Sequence, residues 1–300
     1  MATILVIGST GMLGSAVTQY LTSTQNTLIE SNTSGRPLIL TNTCIKFDIV
    51  TNSADDLFSS VSMPIDYIIN CSGVIKHKID EKDLASLDNA KRINTYFPEE
   101  LALCAIKKSI KIIQIATDCV YSGNKGPYDE DSLHDALDVY GVTKSEGEYL
   151  SNNMMILRCS VIGQEVNSHV EFMDWILGQT PGAKLNGFSN HLWNGITTLH
   201  FAKIVLGIIS ANSFKSGKYH ILPSDSASKF EMIDMVCKSF AREGIKIEKV
   251  LAETTIDRRL TTKYPEVNRD LWLNAGYDKP LSIQEMITEY SNWTRNKKNV

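Results

Sequence analysis

Thr3-Ile-Leu-Val-Ile-Gly8-Ser-Thr-Gly11-Met-Leu-Gly14 lies at the start of this 300-residue chain. Ile4 to Ile7 form an unbroken apolar run, the pattern of a parallel strand buried on both faces. Three glycines at intervals of three follow it directly. Glycine lets a backbone turn sharply and approach a phosphate, and the amides of a helix N-terminus then receive the anion. A helix is expected from about Gly11 to Ser23. Gly8, Thr10, Gly11, Met12, Leu13 and Gly14 are expected to cradle a dinucleotide.

Working outward, Thr27 to Glu30, Tyr67 to Asn70, Ile112 to Ala116 and Met154 to Arg158 read as further strands. A long apolar-periodic helix is expected from about Leu84 to Lys107, with a break or bend near Pro98. This alternation predicts an α/β fold, a Rossmann-type doubly wound parallel sheet. After about Val161 the rhythm changes, and Gly163 to Asn194 is richer in Gly, Asn, Ser and His. The expected division is residues 1–163 for the dinucleotide-binding domain and 164–300 for a smaller C-terminal α/β substrate domain. A segment near 217–224 is expected to return to the first sheet. Phe230 to Glu243 and Ser282 to Arg295 read as helices.

The net charge of −4 and the lack of a basic stripe argue against a nucleic-acid partner. The longest apolar stretch, Phe201 to Ala211, is too short to span a bilayer and contains Lys203, so no membrane association is expected. The start of the chain does not read as a secretory signal, which makes a cytoplasmic location the expectation. The six cysteines form no Cys-x-x-Cys and pair closely with no histidine; neither a metal site nor a disulfide framework is expected.

Tyr140 and Lys144, in Tyr140-Gly-Val-Thr-Lys144, share one face of an expected helix. An ammonium held near a phenol favours the phenolate and would lower its pKa from about 10. Thr117 follows the strand Ile112 to Ala116. The three together suit proton transfer beside a nicotinamide ring.

The end of the second strand selects between the two nicotinamide cofactors. Glu30 could point to either side of it. Ser31, Thr33 and Arg36 read as a pocket for a 2′-phosphate, so NADP is expected, with NAD as the alternative.

Gly8-Ser-Thr-Gly-Met-Leu-Gly14, Ile69-Asn-Cys-Ser-Gly-Val-Ile-Lys76, Ala116-Thr-Asp-Cys-Val-Tyr-Ser-Gly123 and Tyr140-Gly-Val-Thr-Lys-Ser-Glu-Gly-Glu148 resemble the dTDP-4-dehydrorhamnose reductases. Those are extended short-chain dehydrogenases/reductases acting on nucleotide-linked 4-keto-6-deoxy sugars. The resemblance is weaker beyond Gly163. It implies that Thr117, Tyr140 and Lys144 are catalytic, that Lys144 also holds the nicotinamide ribose, and that Asn94 supports the group. It places Asp48 near the adenine and Cys71, Ser72 and Gly73 along the cofactor. The implied partner is a nucleotide-linked 4-keto-6-deoxy sugar, and a homodimer is the candidate assembly.

Lys76, Asp118, Cys119, His169, Trp193 and Arg258 are the expected substrate-binding residues. Glu171, Phe172, Trp175, His191 and Arg259 fall in the same region. Asp118-Cys119 stands where sugar-nucleotide dehydratases carry Asp-Glu, which disfavours elimination of water. GDP-fucose synthases resemble this arrangement in having a cysteine here and a histidine further on, so Cys119 with His169 carries the alternative of epimerisation coupled to reduction. A third alternative is a non-catalytic NADP-binding partner, as in the regulatory subunit of methionine adenosyltransferase.

Overall fold

A computed structural model describes residues 1–298. The first part of the chain runs β1 (Thr3–Ile7), α1 (Met12–Thr22), β2 (Thr27–Asn32), β3 (Thr43–Lys46), α2 (Ala54–Ser59), β4 (Tyr67–Asn70), α3 (Leu84–Lys91), α4 (Phe97–Ile106), β5 (Lys111–Ala116), α5 (Val139–Glu146) and β6 (Met154–Arg158). There follow β7 (Val161–Ile162), α6 (Phe172–Leu177), β8 (Lys184–Phe188), β9 (His191–Trp193), β10 (Ile196–Thr197), α7 (Thr198–Ser210) and β11 (Gly217–His220). The chain closes with β12 (Ala227–Ser228), α8 (Lys229–Ser239), β13 (Lys246–Val250), β14 (Ile256–Asp257), α9 (Pro265–Asn274) and α10 (Ile283–Lys298).

Seven strands form one parallel sheet in the order β11-β6-β5-β4-β1-β2-β3. The fold is therefore the expected α/β, Rossmann-type arrangement. Ile4, Leu5 and Val6 at its centre are fully buried. Burying side chains of this kind stabilises the fold by about 1.5–3 kcal/mol each. Alternate residues serve opposite faces: Ile4 and Val6 pack with α1 and α7 residues, Leu5 and Ile7 with α2 and α4 residues. The sheet reverses its winding between β1 and β4, which is where open α/β sheets offer a crevice at the strand ends.

The expected helix from Leu84 to Lys107 is interrupted just ahead of Pro98. α3 passes into one π-turn, Arg92–Tyr96, and resumes as α4 with Pro98 in its first turn. The π-turn brings Asn94 inward. Gly147, at the end of α5, packs against it so closely that a Cβ would lie 1.8 Å from the Asn94 carbonyl oxygen.

β11 joins the sheet edge beside β6, pairing Gly217 with Met155 through His220 with Arg158. Beneath this pair Arg158 is fully buried. Its guanidinium takes the Glu148 carboxylate at both Nε and Nη2, and Nη1 reaches the Tyr121 hydroxyl at 2.8 Å and His220 Nε2 at 2.7 Å. A buried cation is tolerable only when so enclosed. Burial and the neighbouring guanidinium push His220 down to about 4, keeping it neutral. Among the described residues no helix is long and apolar enough to cross a membrane.

Candidate active site

The turn from β1 to α1 begins at Gly8, whose φ of +77° suits glycine. A Cβ on Gly14 would sit 2.0 Å from the Gly8 carbonyl oxygen, so only hydrogen allows α1 to start this close to β1. Gly11 is the N-cap of α1 and no side chain caps the helix, leaving its first amides available to an anion. The cleft at this turn has two connected chambers, which share Thr10, Gly11, Cys71, Ser72 and Gly73.

The smaller chamber, about 200 Å³, is lined by Gly8, Ser31, Asn32, Thr33 and Asp48 as well. The Ser31 hydroxyl is buried there without a hydrogen-bond partner, and its carbonyl accepts from Gly8 and Ser9 amides at 3.0 and 3.1 Å. An orphaned hydroxyl beside an uncapped helix start is what a bound dinucleotide would satisfy. Glu30 is turned to the opposite side of the strand. Its carboxylate accepts from the Leu38 and Ile39 amides and from Asn42 Nδ2, at 2.7, 3.1 and 3.0 Å. Arg36 corrects the expectation of a basic phosphate pocket. Asn32 Oδ1 gathers the Ser34 and Gly35 amides while its Nδ2 donates to the Arg36 carbonyl. The chain is folded back by this turn, and the Arg36 side chain is exposed and outside the chamber wall.

The larger chamber has a volume of about 410 Å³. Thr117, Cys119, Tyr140 and Lys144 all line it. Thr117 ends β5 and caps a short 3-10 turn, its hydroxyl accepting from the Cys119 amide at 3.1 Å. Asp138 caps α5 through the Gly141 amide at 3.0 Å, which sets Tyr140 in the first turn and Lys144 one turn further. The Tyr140 and Thr117 side chains line the same wall. Lys144 Nζ donates to the Ile115 carbonyl at 3.3 Å.

The electrostatics differ from the sequence expectation. Burial holds the Tyr140 phenol above its usual range, reinforced by Cys119 and opposed by the nearby Thr117 hydroxyl. Loss of water dominates in this cleft, and the tyrosine stays protonated rather than tending to phenolate. Burial lowers Lys144 to about 8, opposed by Glu148. Asn94 completes the floor: Oδ1 accepts from the Val74 amide at 2.9 Å, and Nδ2 donates to the Val74 carbonyl and to Thr143 Oγ1. The Gly73–Val74 turn is thus fixed opposite Lys144.

Of the expected substrate-binding residues, Lys76, Cys119 and Arg258 line the chamber. Lys76 pairs with Asp138 at 3.1 Å across its mouth. Arg258 Nε donates to the Tyr121 carbonyl at 2.9 Å, with Nη1 3.8 Å from Cys119 Sγ. Asp118 is buried behind the wall, its Oδ1 3.3 Å from the Thr117 hydroxyl. Burial pushes the Cys119 thiol up to about 12. Trp193 is a correction: it is a core residue of β9, 6% exposed and absent from the chamber wall. His169 is another. Its backbone φ is +54° and its side chain is exposed, 3.7 Å from Asp174 rather than near Cys119. The loop turns there because the Glu165 carboxylate collects the Ser168 hydroxyl and the Val170 and Glu171 amides. Arg259 is held by Asp257 at 2.9 and 2.7 Å, and His191 packs on Phe188.

Sequence reasoning missed Asp138, His77, Ser160, Glu165 and Asn167, all on the chamber wall. Asp138 had a signal, an aspartate two residues before Tyr140 at a helix start. The others arrive on irregular loops, which carry no periodicity. His77 pairs with Glu171 at 3.3 Å across the mouth.

A family model described as the RmlD substrate binding domain matches residues 1–290. A dTDP-4-dehydrorhamnose reductase from Aggregatibacter actinomycetemcomitans is 27% identical over 311 residues, spanning 100% of this chain and 98% of the relative. Methionine adenosyltransferase 2 subunit beta from Xenopus laevis is 35% identical over 105 residues, 33% of this chain and 30% of that protein. A solved dTDP-4-dehydrorhamnose reductase from Bacillus anthracis, in complex with NADP, has a TM-score of 0.74 at 18% identity. That match covers 96% of this chain and 98% of the other.

Proposed function

The chain belongs to the RmlD substrate binding domain family, and on that footing we propose that it uses NADPH to reduce the C4 ketone of a nucleotide-linked 4-keto-6-deoxyhexose. The observation that supports this most is the convergence of Thr117, Tyr140 and Lys144 on the wall of one chamber that also reaches the glycine turn. A bound nicotinamide supplies the hydride. Gly8, Thr10, Gly11, Met12, Leu13 and Gly14 would hold its diphosphate. Ser31 and Thr33, with no carboxylate from β2 on their side, favour a 2′-phosphate. Asp48, Cys71, Ser72 and Gly73 would flank the rest of the cofactor.

Tyr140 donates the proton to the C4 oxygen, and the burial that keeps it protonated suits donation. Thr117 directs its hydroxyl to the same oxygen as negative charge develops there. Lys144 would hold the nicotinamide ribose, and its ammonium would stabilise the Tyr140 phenolate left after proton donation, which solvent reprotonates. Coupled epimerisation would need a base beside C3 or C5; a thiol held near 12 and a histidine outside the wall do not supply it. A purely regulatory role would not require this catalytic group to be retained. A cytoplasmic location and a homodimer belong to the same proposal.

The test is incubation with NADPH and a panel of 4-keto-6-deoxy sugar nucleotides, following absorbance and product stereochemistry. Oxidation with at least one member is expected. Tyr140→Phe should lose about 100-fold or more of that rate while binding NADPH normally. An equally active Tyr140→Phe enzyme would remove Tyr140 as the donor.

A further inference from the structure

The turn that follows β4 carries three basic residues in a row, Lys76-His77-Lys78, and all three line the catalytic chamber. Two of them reach across its mouth to carboxylates. Lys76 Nζ lies 3.1 Å from Asp138, the N-cap of α5, and His77 Nδ1 lies 3.3 Å from Glu171, the N-cap of α6. Asp138 and Glu171 belong to the chamber wall as well. The basic turn therefore spans from the helix that carries Tyr140 and Lys144 to a helix of the later part of the chain.

Neither pair is held tightly. Lys76 is 66% exposed and His77 45% exposed, and ion pairs open to water and salt contribute little. The carboxylates differ in what else they hold. Asp138 also accepts from the Gly141 amide and is tied to α5 by it. Glu171 does not cap α6 with its side chain. Burial pushes its carboxyl up, and His77 draws it back down. Glu165, a third carboxylate on the wall, is already occupied by the Ser168 hydroxyl and the Val170 and Glu171 amides. Glu171 is thus the acid that can release the turn without loosening a helix cap or a loop.

The place of a substrate anion follows from the chemistry. In a hexose, C4 lies across the ring from C1, the carbon that bears the diphosphate of a nucleotide sugar. With C4 against Thr117 and Tyr140, and the cofactor on the side that leads to Thr10 and Gly11, the diphosphate emerges one ring further on, toward the mouth. The Lys76–Lys78 turn offers it cations there. We infer that this turn is the rim that receives the diphosphate, and that Glu171 occupies the rim beforehand as a competing anion, so that a ligand with several negative charges displaces it and a neutral ligand does not. The inference rests on the proposed function for the identity of that anion. Glu171 is then a specificity-determining residue, acting against the wrong ligands rather than for the right one.

The experiment measures binding of thymidine diphosphate, uridine diphosphate and thymidine to the NADP-loaded protein, by calorimetry, for wild type, Glu171→Gln, Lys76→Met and Lys76→Arg. Wild type is expected to bind at least one diphosphate. Glu171→Gln removes the competing charge and keeps the shape, and should bind that diphosphate about 3-fold or more tighter. Lys76→Met should bind it about 3-fold or more weaker, and Lys76→Arg should recover most of the loss. Thymidine affinity should stay within about twofold in every variant. Tighter binding by Glu171→Gln is not the signature of a damaged fold. Unchanged or weaker diphosphate binding by Glu171→Gln overturns the inference, as does an unaffected Lys76→Met, thymidine shifting as much as the diphosphate, or wild type binding neither diphosphate. No turnover is needed. A protein that shows this charge dependence yet reduces no sugar would refute the proposed function and leave the rim standing; an active reductase in which Glu171→Gln gains nothing would do the reverse.

Discussion

Lys144→Met should make the protein more stable and inactive. Lys144 is buried, and burial moves its pKa from 10.5 to about 8. That displacement corresponds to about 3 kcal/mol by which the folded state disfavours the charged form. Below about pH 8 the lysine is charged in both states and the whole cost is present. As pH rises from about 8 toward 10.5 the folded state releases its proton first, and the cost disappears. Methionine fills similar space with no charge. The net shift already includes the attraction to Glu148; loss of the hydrogen bond to the Ile115 carbonyl subtracts from the gain, leaving about 1–3 kcal/mol near neutrality, a rise in Tm on the order of 5 °C. Urea unfolding of both proteins at about pH 7 and about pH 10 measures it. A Lys144→Met protein less stable than wild type at neutrality refutes the reasoning, and so does a gain that persists undiminished at high pH. Activity should fall about 100-fold or more in the same variant, the cost of a charge placed for chemistry rather than for folding.

The same lysine sets a pH dependence: kcat/KM should decline through about pH 8 as Lys144 loses its proton, and a profile flat to about pH 10 would separate Lys144 from catalysis. Gly14→Ala should weaken NADPH at least about 10-fold, since its methyl would meet the Gly8 carbonyl oxygen at 2.0 Å; equilibrium titration of NADPH fluorescence reads this. Glu30→Ala should cost about 2 kcal/mol by stripping the Leu38 and Ile39 amides of their acceptor. It should leave the NADPH-to-NADH preference unchanged, because the carboxylate faces away from the cofactor chamber. A switched preference would contradict that orientation.

What was legible in the sequence is what local rules control. Ile4 to Ile7 and the glycines after it specify a strand, a turn and a helix within one short stretch, and the structure has them there. The Tyr140–Lys144 spacing is set by one helical turn. The direction of Glu30 was not legible, because successive strand residues face opposite sides and only the register with β1 and β3 settles which. Trp193 and His169 failed for a related reason. Trp193 lies on a three-residue strand positioned by a distant partner, β12, and His169 lies on an irregular loop shaped by the Glu165 carboxylate. The phenol's pKa was misjudged because sequence spacing places the ammonium but says nothing of the water that folding removes.

β11 has a consequence for how this chain can be handled. A fragment ending near residue 163 would keep the glycine turn and the Tyr140–Lys144 pair, yet it would leave β6 with a bare edge and Arg158 without the imidazole of His220. Unsatisfied strand edges recruit other chains. The two portions of the molecule are interlaced, and cutting the polypeptide at the place where its composition changes should give a product that clumps rather than a minimal cofactor-binding module.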